Sequence, residues 1–376
     1  MKIGFDAKRA YHNYTGLGNY SRDLIQSLLA YYPNNQYHLY SPKNSNNARL
    51  KFIKNHNNIS EHFPKTKWYK LFKGLWRSIY LEKLLIQDEL DIYHGLSNEI
   101  PKRIKGSKVK SIVSIHDLIF KRYPNTYKSI DRKIYDKKFK YAALNSDKII
   151  AISEQTKRDI VEFYNVSPSK IEVIYQTCHH NFKTQCSDEF KEKVRQKYNL
   201  PNEFLLNVGT IEKRKNLNVL IQAIPTMKNN LTIVVVGGKT KYYDFLLSEI
   251  RRLNIDKNRV LFLENVSIEE LPAIYQMAKI FVYPSVFEGF GIPIIEALYS
   301  KTPVITTEGG CFSEAGGVYS IYVNTQDATA LGNAIDQLLT NKAQQEKMIL
   351  EGTNYVSKFD SKTLTNQLYS LYESMQ

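Results

Sequence analysis

The stretch IFVYPSVFEGFGIPIIEALYSKTPVIT, residues 280–306, reads as one complete strand–loop–helix–strand unit. Ile280–Tyr283 is a short apolar run rich in β-formers and Pro303–Thr306 is a second. The helical pattern between them starts at Pro293, where a proline in the first turn forfeits no helix hydrogen bond. Two strands joined by a crossover helix are the repeating element of parallel α/β construction. Outward from this unit the alternation continues in both directions. Strands are expected at Lys2–Phe5, Tyr37–Tyr40, Asp91–His94, Ser111–His116, Lys148–Ile152 and Ile171–Ile174 in one series. A second series holds Phe204–Val208, Leu231–Val236, Val260–Leu263, Ile280–Tyr283, Pro303–Thr306 and Ser320–Val323. Each series makes a doubly wound sheet, and 376 residues with 43 % apolar content can bury two cores. The polar stretch Gln176–Pro201 separates them, so the domains are read as 1–180 and 181–360. Leu364, Leu368 and Leu371 at helical spacing put a closing helix over 361–376.

Charge divides along the same line. The net charge is +15, and residues 1–180 carry all of it, with 31 basic against 16 acidic side chains, while the remainder is neutral. An excess confined to one half argues against wrapping of nucleic acid by the whole chain. Three cysteines, Cys178, Cys186 and Cys311, leave one over from any pairing and imply a reducing compartment. The spacing CHHx₅C over Cys178, His179, His180 and Cys186 fits no standard tetrahedral site, so no metal is assigned. No apolar h-region is read in MKIGFDAKRAYHN and no window reaches 18 apolar residues, so a cytoplasmic protein is expected.

In open parallel sheets ligands bind beyond the carboxyl ends of the strands, and two such sheets face a central cleft. Four places there carry chemistry. In the quoted stretch, Glu288 follows a strand and Glu296 hangs from the next helix; both carboxylates can accept hydrogen bonds from vicinal hydroxyls, while the amides of Gly289, Phe290 and Gly291 face a phosphate or hydroxyl. In FLLNVGTIEKRKNLNVLIQAI, Arg214 and Lys215 fill the turn before a helix starting near Asn216, a geometry suited to a diphosphate but without P-loop spacing. His116 closes the strand SIVSIH and is expected to point a ring nitrogen at a phosphate or sugar. Gly16 and Gly18, ahead of an amphipathic helix, let backbone approach an anion; Ser21 and His38 spoil a dinucleotide fingerprint and weaken a nicotinamide-dehydrogenase reading.

With these residues in place the sequence resembles the retaining glycosyltransferases of the GT-B architecture, the large family 4. EGFGIPIIE looks like that family's E-x₇-E signature, and TGLGNYSRDLI, HDLIFKRYP, AISEQTKRDI and GTIEKRKN follow in the family's order. The resemblance implies two Rossmann-like domains and transfer of a sugar from a nucleotide sugar to an acceptor hydroxyl with retained configuration, with no obligatory metal or other cofactor. It implies that Arg214 and Lys215 hold the donor diphosphate, Glu288 the donor sugar and Glu296 the ribose, that His116 touches the transferred sugar or diphosphate, and that the Gly16–Gly18 backbone closes over the phosphates. The closing helix is implied to cross back to the N-terminal domain. Thr210 stands where many relatives carry Arg, and GGCFSEAGG replaces a more usual proline–glutamate pair. The Lys213-Arg214-Lys215-Asn216 loop is similar to that of mannosyltransferases, which makes GDP-mannose the preferred donor and a glycan or polyprenyl-diphosphate-linked molecule the acceptor. A UDP-sugar donor is the alternative, and a basic nucleic-acid-binding protein is the rival from another class, although no nucleic-acid module is present and none is expected as partner.

Outside these motifs lies KTKWYKLFKGLWRSIYLEKLL, Lys65 to Leu85. Trp68, Leu71, Phe72, Leu75, Trp76 and Ile79 fall on one helical arc and Lys70, Lys73 and Arg77 on the other, so the segment is read either as a basic helix resting on the anionic inner face of the plasma membrane or as a crossover helix covering the sheet.

Overall fold

The structure, a computed structural model, describes residues 1–65 and 76–376. The chain forms two compact units, Met1–Thr177 with Phe359–Gln376, and Cys178–Lys358.

The first unit is built on seven parallel strands, β1 (Lys2–Asp6), β2 (Gln36–Tyr40), β3 (Ile59–His62), β4 (Ile92–Gly95), β5 (Lys110–Ile115), β6 (Lys148–Ala151) and β7 (Ile171–Val173), in the order β3-β2-β1-β4-β5-β6-β7. Alternation along the strands feeds two cores, as the two-residue period of a pleated strand requires. Ile3, Phe5, Tyr37 and Leu39 pack under Ile25, Leu28 and Leu29 of the Gly16–Tyr31 helix and under Leu368, Leu371 and Tyr372 of the closing Ser361–Glu373 helix. Tyr40, Tyr93, Val113 and Ile149 pack on the opposite face with Leu81, Leu85, Ala142 and Ile160. The closing helix is tied down further by stacking of Tyr369 on Tyr32, 3.6 Å between centroids, and by a bond of 2.7 Å between the Tyr372 hydroxyl and Nδ1 of His94.

Three expectations change in this unit. β3 has no counterpart in the sequence reading, because ISEH is an edge strand with little apolar content and only half-buried ends. β5 closes at Ile115, so His116 starts the loop. The basic aromatic segment is the third. Its residues 66–75 lie outside the described residues, Lys70 and Lys73 among them. The rest forms a π-helical turn, Trp76–Tyr80, running into a helix at Leu81–Gln87. Trp76, at 1 % exposure, joins Leu81 and Leu85 in the core, and Arg77 is ion-paired to Asp6 and, at 3.5 Å, to Glu99. Arg77 therefore does not stand on an open polar face: Asp6, buried at the end of β1, needs a compensating cation. Among the described residues no helix is long and apolar enough to cross a membrane.

The second unit has six parallel strands, β8 (Phe204–Val208), β9 (Thr232–Val236), β10 (Val260–Leu263), β11 (Ile280–Tyr283), β12 (Val304–Thr307) and β13 (Ile321–Val323), ordered β10-β9-β8-β11-β12-β13. Leu217, Leu220, Leu246, Ile250, Leu331 and Ile335 cover one face. The strand order reverses between β8 and β11, and the crevice outside such a reversal is where doubly wound sheets bind ligands. The segment after Gln176 holds a short turn, His180–Lys183, and a helix, Asp188–Tyr198. Cys178, His179, His180 and Cys186 form no three-membered metal-ligating cluster among the described residues.

Candidate functional site

The loops leaving β8 and β11 carry three of the expected side chains, Arg214, Lys215 and Glu288. Gly209 follows β8 with φ +153°, beneath the Lys215 stem, so a side chain at 209 would be strained. Gly237, on the neighbouring strand exit, is constrained harder: a Cβ there would stand 1.9 Å from the Gly209 carbonyl oxygen. The chain then makes a single turn, Lys213–Lys215, and Asn216 enters the left-handed region at φ 52° before the Leu217–Ala223 helix. Asn216 is fixed by its side-chain amide, which donates to the Thr325 carbonyl at 3.0 Å.

This turn is stitched to the loop after β11. The Arg214 carbonyl accepts from the Val286 amide at 2.9 Å and from the Ser285 hydroxyl at 3.2 Å, and the Arg214 guanidinium donates to the Phe287 carbonyl at 2.6 Å. Glu288 lies at the centre. Its Oε2 is 2.7 Å from Arg214, and its Oε1 accepts from Lys215 Nζ at 2.7 Å, the Ser285 hydroxyl at 2.5 Å and the Tyr283 hydroxyl at 3.0 Å. Lys215 also donates to the Tyr283 oxygen at 2.7 Å and lies 5.1 Å above that ring. Burial alone would raise the Glu288 pKa, but Lys215, Arg214 and the hydrogen bonds outweigh it and hold the group at about 2. With Glu212, whose Oε1 is 2.7 Å from Arg214, Glu288, Arg214 and Lys215 thus form one charge-satisfied cluster rather than independent groups.

Glu296 sits apart on the Ile292–Tyr299 helix and accepts from the Tyr275 hydroxyl at 2.9 Å. Burial pushes its pKa up to about 7, against the opposing pull of Tyr275 and of the Lys215 charge. The two carboxylates of the E-x₇-E stretch are therefore held in opposite states, one charged throughout the working range and one poised near neutrality. Gly291 enters the helix with φ +127°, and Cys311 donates from Sγ to the Glu288 carbonyl at 3.2 Å, fixing the Gly289–Gly291 turn from below.

In the first unit the residues do less than expected. The helix begins at Gly16 itself, so Gly16 and Gly18 are inside its first turn rather than ahead of it. The Gly18 amide donates to the Thr15 carbonyl at 2.9 Å and to Asn13 Oδ1 at 3.1 Å, and a Cβ there would meet the Asn13 carbonyl at 1.8 Å; this glycine serves the turn. Gly16 is exposed, with open space around its Cα. His116 is buried, with Nε2 2.8 Å from the Leu96 carbonyl, Nδ1 3.2 Å from the Gln176 amide and Tyr20 edge-on at 4.7 Å. Burial lowers its pKa to about 4, so the ring is neutral, and both nitrogens are used inside the unit instead of pointing at a ligand.

Tyr283, Ser285, Tyr275 and Cys311 were not singled out in the sequence. Ser285 and Tyr283 stand three and five residues before Glu288 in the opening stretch, and an alternating strand that exits toward a charged cluster would have marked both.

Two doubly wound units, one with a paired carboxylate–cation cluster at its switch point, define the GT-B class, and solved structures share the fold over the whole chain. HepE from Anabaena, solved with UDP and glucose, is 19 % identical and superposes with a TM-score of 0.77, covering 100 % of both chains. The sucrose-phosphate synthase of Thermosynechococcus elongatus, also 19 % identical, gives 0.79 over 100 % of this chain and 99 % of its own. The profile described as Glycosyl transferases group 1 matches residues 189–355, and that described as Glycosyltransferase Family 4 matches residues 14–180. The chain belongs to the group 1, family 4 glycosyltransferases. Among its relatives, the O-antigen chain mannosyltransferase B of Escherichia coli is 25 % identical over 99 % of this chain and 100 % of its own length. The O-antigen chain mannosyltransferase RfbU of Salmonella typhimurium is 31 % identical over 66 % of this chain and 65 % of its own.

Proposed function

We propose that this glycosyltransferase moves mannose from GDP-mannose to a hydroxyl of a glycan or lipid-linked acceptor, with retention of configuration, in the synthesis of a cell-surface polysaccharide. The observation that carries the reading is the Glu288–Arg214–Lys215 cluster at the β8/β11 reversal, with Glu296 one helix turn beyond it. The relatives named as O-antigen mannosyltransferases support the sugar and the polysaccharide.

Departure of a nucleoside diphosphate builds negative charge on its β-phosphate, and cations fixed around that oxygen stabilise the transition state more than the ground state. Arg214 and Lys215 are held in place by backbone carbonyls, Tyr283 and Glu288, so little reorganisation is needed when they turn to a diphosphate. As the two cations engage the phosphates, the Glu288 carboxylate is released to accept from sugar hydroxyls, and Glu296 accepts from the ribose. No side chain is needed as nucleophile, because the leaving phosphate oxygen takes the acceptor's proton on the same face. Turnover on this scheme needs no divalent ion and survives EDTA. In the first unit, Gly16 keeps the assignment to the donor phosphates, whereas the His116 ring N–H is spent on the Leu96 carbonyl. The basic excess of residues 1–180 fits a phosphate-bearing acceptor such as a polyprenyl diphosphate at a membrane surface.

Solved neighbours bound to UDP and UDP-glucose favour a second reading in which the donor is a UDP-sugar. A thermal-shift panel of GDP-, UDP- and ADP-sugars separates the two, since a ligand at 100 times its dissociation constant stabilises by about 2.7 kcal/mol. GDP-mannose is expected to give the largest shift; a larger shift with a UDP-sugar selects the second reading, and no shift with any nucleotide sugar overturns both.

A further inference from the structure

At the β2/β3 edge of the first unit's sheet, two histidines and an aspartate meet. β2 and β3 run parallel with Tyr40 opposite His62. His38, two residues before Tyr40, shares its face, so the imidazoles of adjacent strands come together, 5.1 Å between centroids and 23° between planes. His38 Nδ1 is 3.0 Å from His62 Nε2. On the far side of His62, Nδ1 is 3.4 Å from Asp88 Oδ2, and the Tyr40 hydroxyl donates to that same oxygen at 2.5 Å. Asp88 is placed by the C-terminus of the Leu81–Gln87 helix, whose Leu81 and Leu85 are buried on this face. The side chains of His62 and Asp88 are each 22 % exposed, so the cluster is open to small ions.

We infer that His38 Nδ1 and His62 Nε2 form a binding site for a divalent transition metal of the zinc or copper class, with Asp88 holding the His62 ring. Imidazole nitrogens select such ions over magnesium or calcium. Zinc–nitrogen bonds of about 2.0–2.1 Å to both rings require the nitrogens to open by only a few tenths of an ångström from their present separation. The carboxylate 3.4 Å behind His62 favours the tautomer with the proton on Nδ1 and the lone pair on Nε2, the arrangement that orients metal-bound histidines elsewhere. On coordination the His38 proton shifts from Nδ1 to Nε2, so nothing is oxidised or reduced and water completes the ion's shell. The ion would clamp the edge strand β3 onto β2. It is separate from donor turnover, which the proposed chemistry runs without metal.

The test is calorimetric titration of the metal-stripped full chain with Zn²⁺. One saturable equivalent per chain is expected, accompanied by a rise in melting temperature. His38→Gln and His62→Gln should each abolish it, and Asp88→Asn should weaken it by about 10–100-fold. A His179→Gln/His180→Gln variant should bind as the parent does. Donor turnover unchanged in the His38 and His62 variants will show that they fold. Should either fail to fold, Cu²⁺ bound to the unmodified chain should show two imidazole nitrogens by electron spin-echo spectroscopy. Absence of a saturable equivalent, binding retained without His38 or His62, or fewer than two imidazoles on copper overturns the site.

Discussion

Glu288 and Glu296 are chemically identical and eight residues apart, yet their surroundings separate them by several pKa units. Both are buried. Glu288 has two cations within 2.7 Å, whereas Glu296 has a neutral phenol and only the remote charge of Lys215. Coulomb attraction at contact outweighs desolvation in the first case and fails to in the second. The consequence for Glu296 has a definite sign. Its folded pKa is raised, so its proton stabilises the fold below the unfolded value and that contribution is lost as pH rises through about 7. A ribose diol needs an acceptor, and only the ionised carboxylate offers all its oxygens as acceptors. Donor affinity should therefore increase from pH 6 to pH 8 and level off above. Titration of nucleotide sugar against pH will check this, and Glu296→Gln should flatten the profile; an unchanged slope in that variant assigns the titration to another group. The spacing of both glutamates was legible in the sequence, but their opposite states were not. These depend on which side chains the β8 loop brings to the β11 loop, a contact across more than seventy residues.

At the scale of elements, apolar periodicity located strands and helices but not what their apolar faces meet. The arc of Trp68, Leu71, Phe72, Leu75, Trp76 and Ile79 satisfies the pattern of a membrane-surface helix and of a core helix equally; among the described residues, Trp76 joins Leu81 and Leu85 in the core and the buried Asp6 at the end of β1 claims Arg77. Likewise β3 escaped because an edge strand needs hydrogen-bond partners more than apolar side chains. The closing helix is the element whose role depends most on a few side chains. Tyr372 is fully buried, and its hydroxyl meets His94, whose other nitrogen is 2.8 Å from Ser114; Ser114 in turn is bonded to Tyr20. His94 is neutral, with burial lowering its pKa to about 3. Tyr372→Phe leaves its Nδ1 unpaired in the core at a cost of about 1–3 kcal/mol. The denaturant midpoint for unfolding of the first unit should fall accordingly. A midpoint within error of the parent would mean that the hydroxyl contributes nothing there.

For the whole molecule, two doubly wound sheets and their division near residue 180 were readable because parallel strands are short, apolar and regularly spaced. The contact boundary falls at Thr177/Cys178, and 359–376 belongs to the first unit, a return of the chain that no local pattern encodes. Of the candidate residues in the second unit, Arg214, Lys215 and Glu288 converge on one cluster, with Glu296 apart on the next helix. Of those in the first, Gly18 and His116 are consumed by their own fold, since a glycine can be required by a turn and a histidine by a carbonyl as readily as by a ligand. The proposed donor chemistry therefore lies on the second unit, where Arg214, Lys215 and Glu288 would stabilise the departing nucleoside diphosphate. The direct measurement is release of nucleoside diphosphate from the nucleotide sugar by the parent, Lys215→Ala and Glu288→Ala, with folding verified by circular dichroism. Loss of one preorganised stabilising contact costs about 10²–10³ in kcat, so each variant should turn over at least about 100-fold more slowly. Turnover equal to that of the parent in both variants would contradict the assignment.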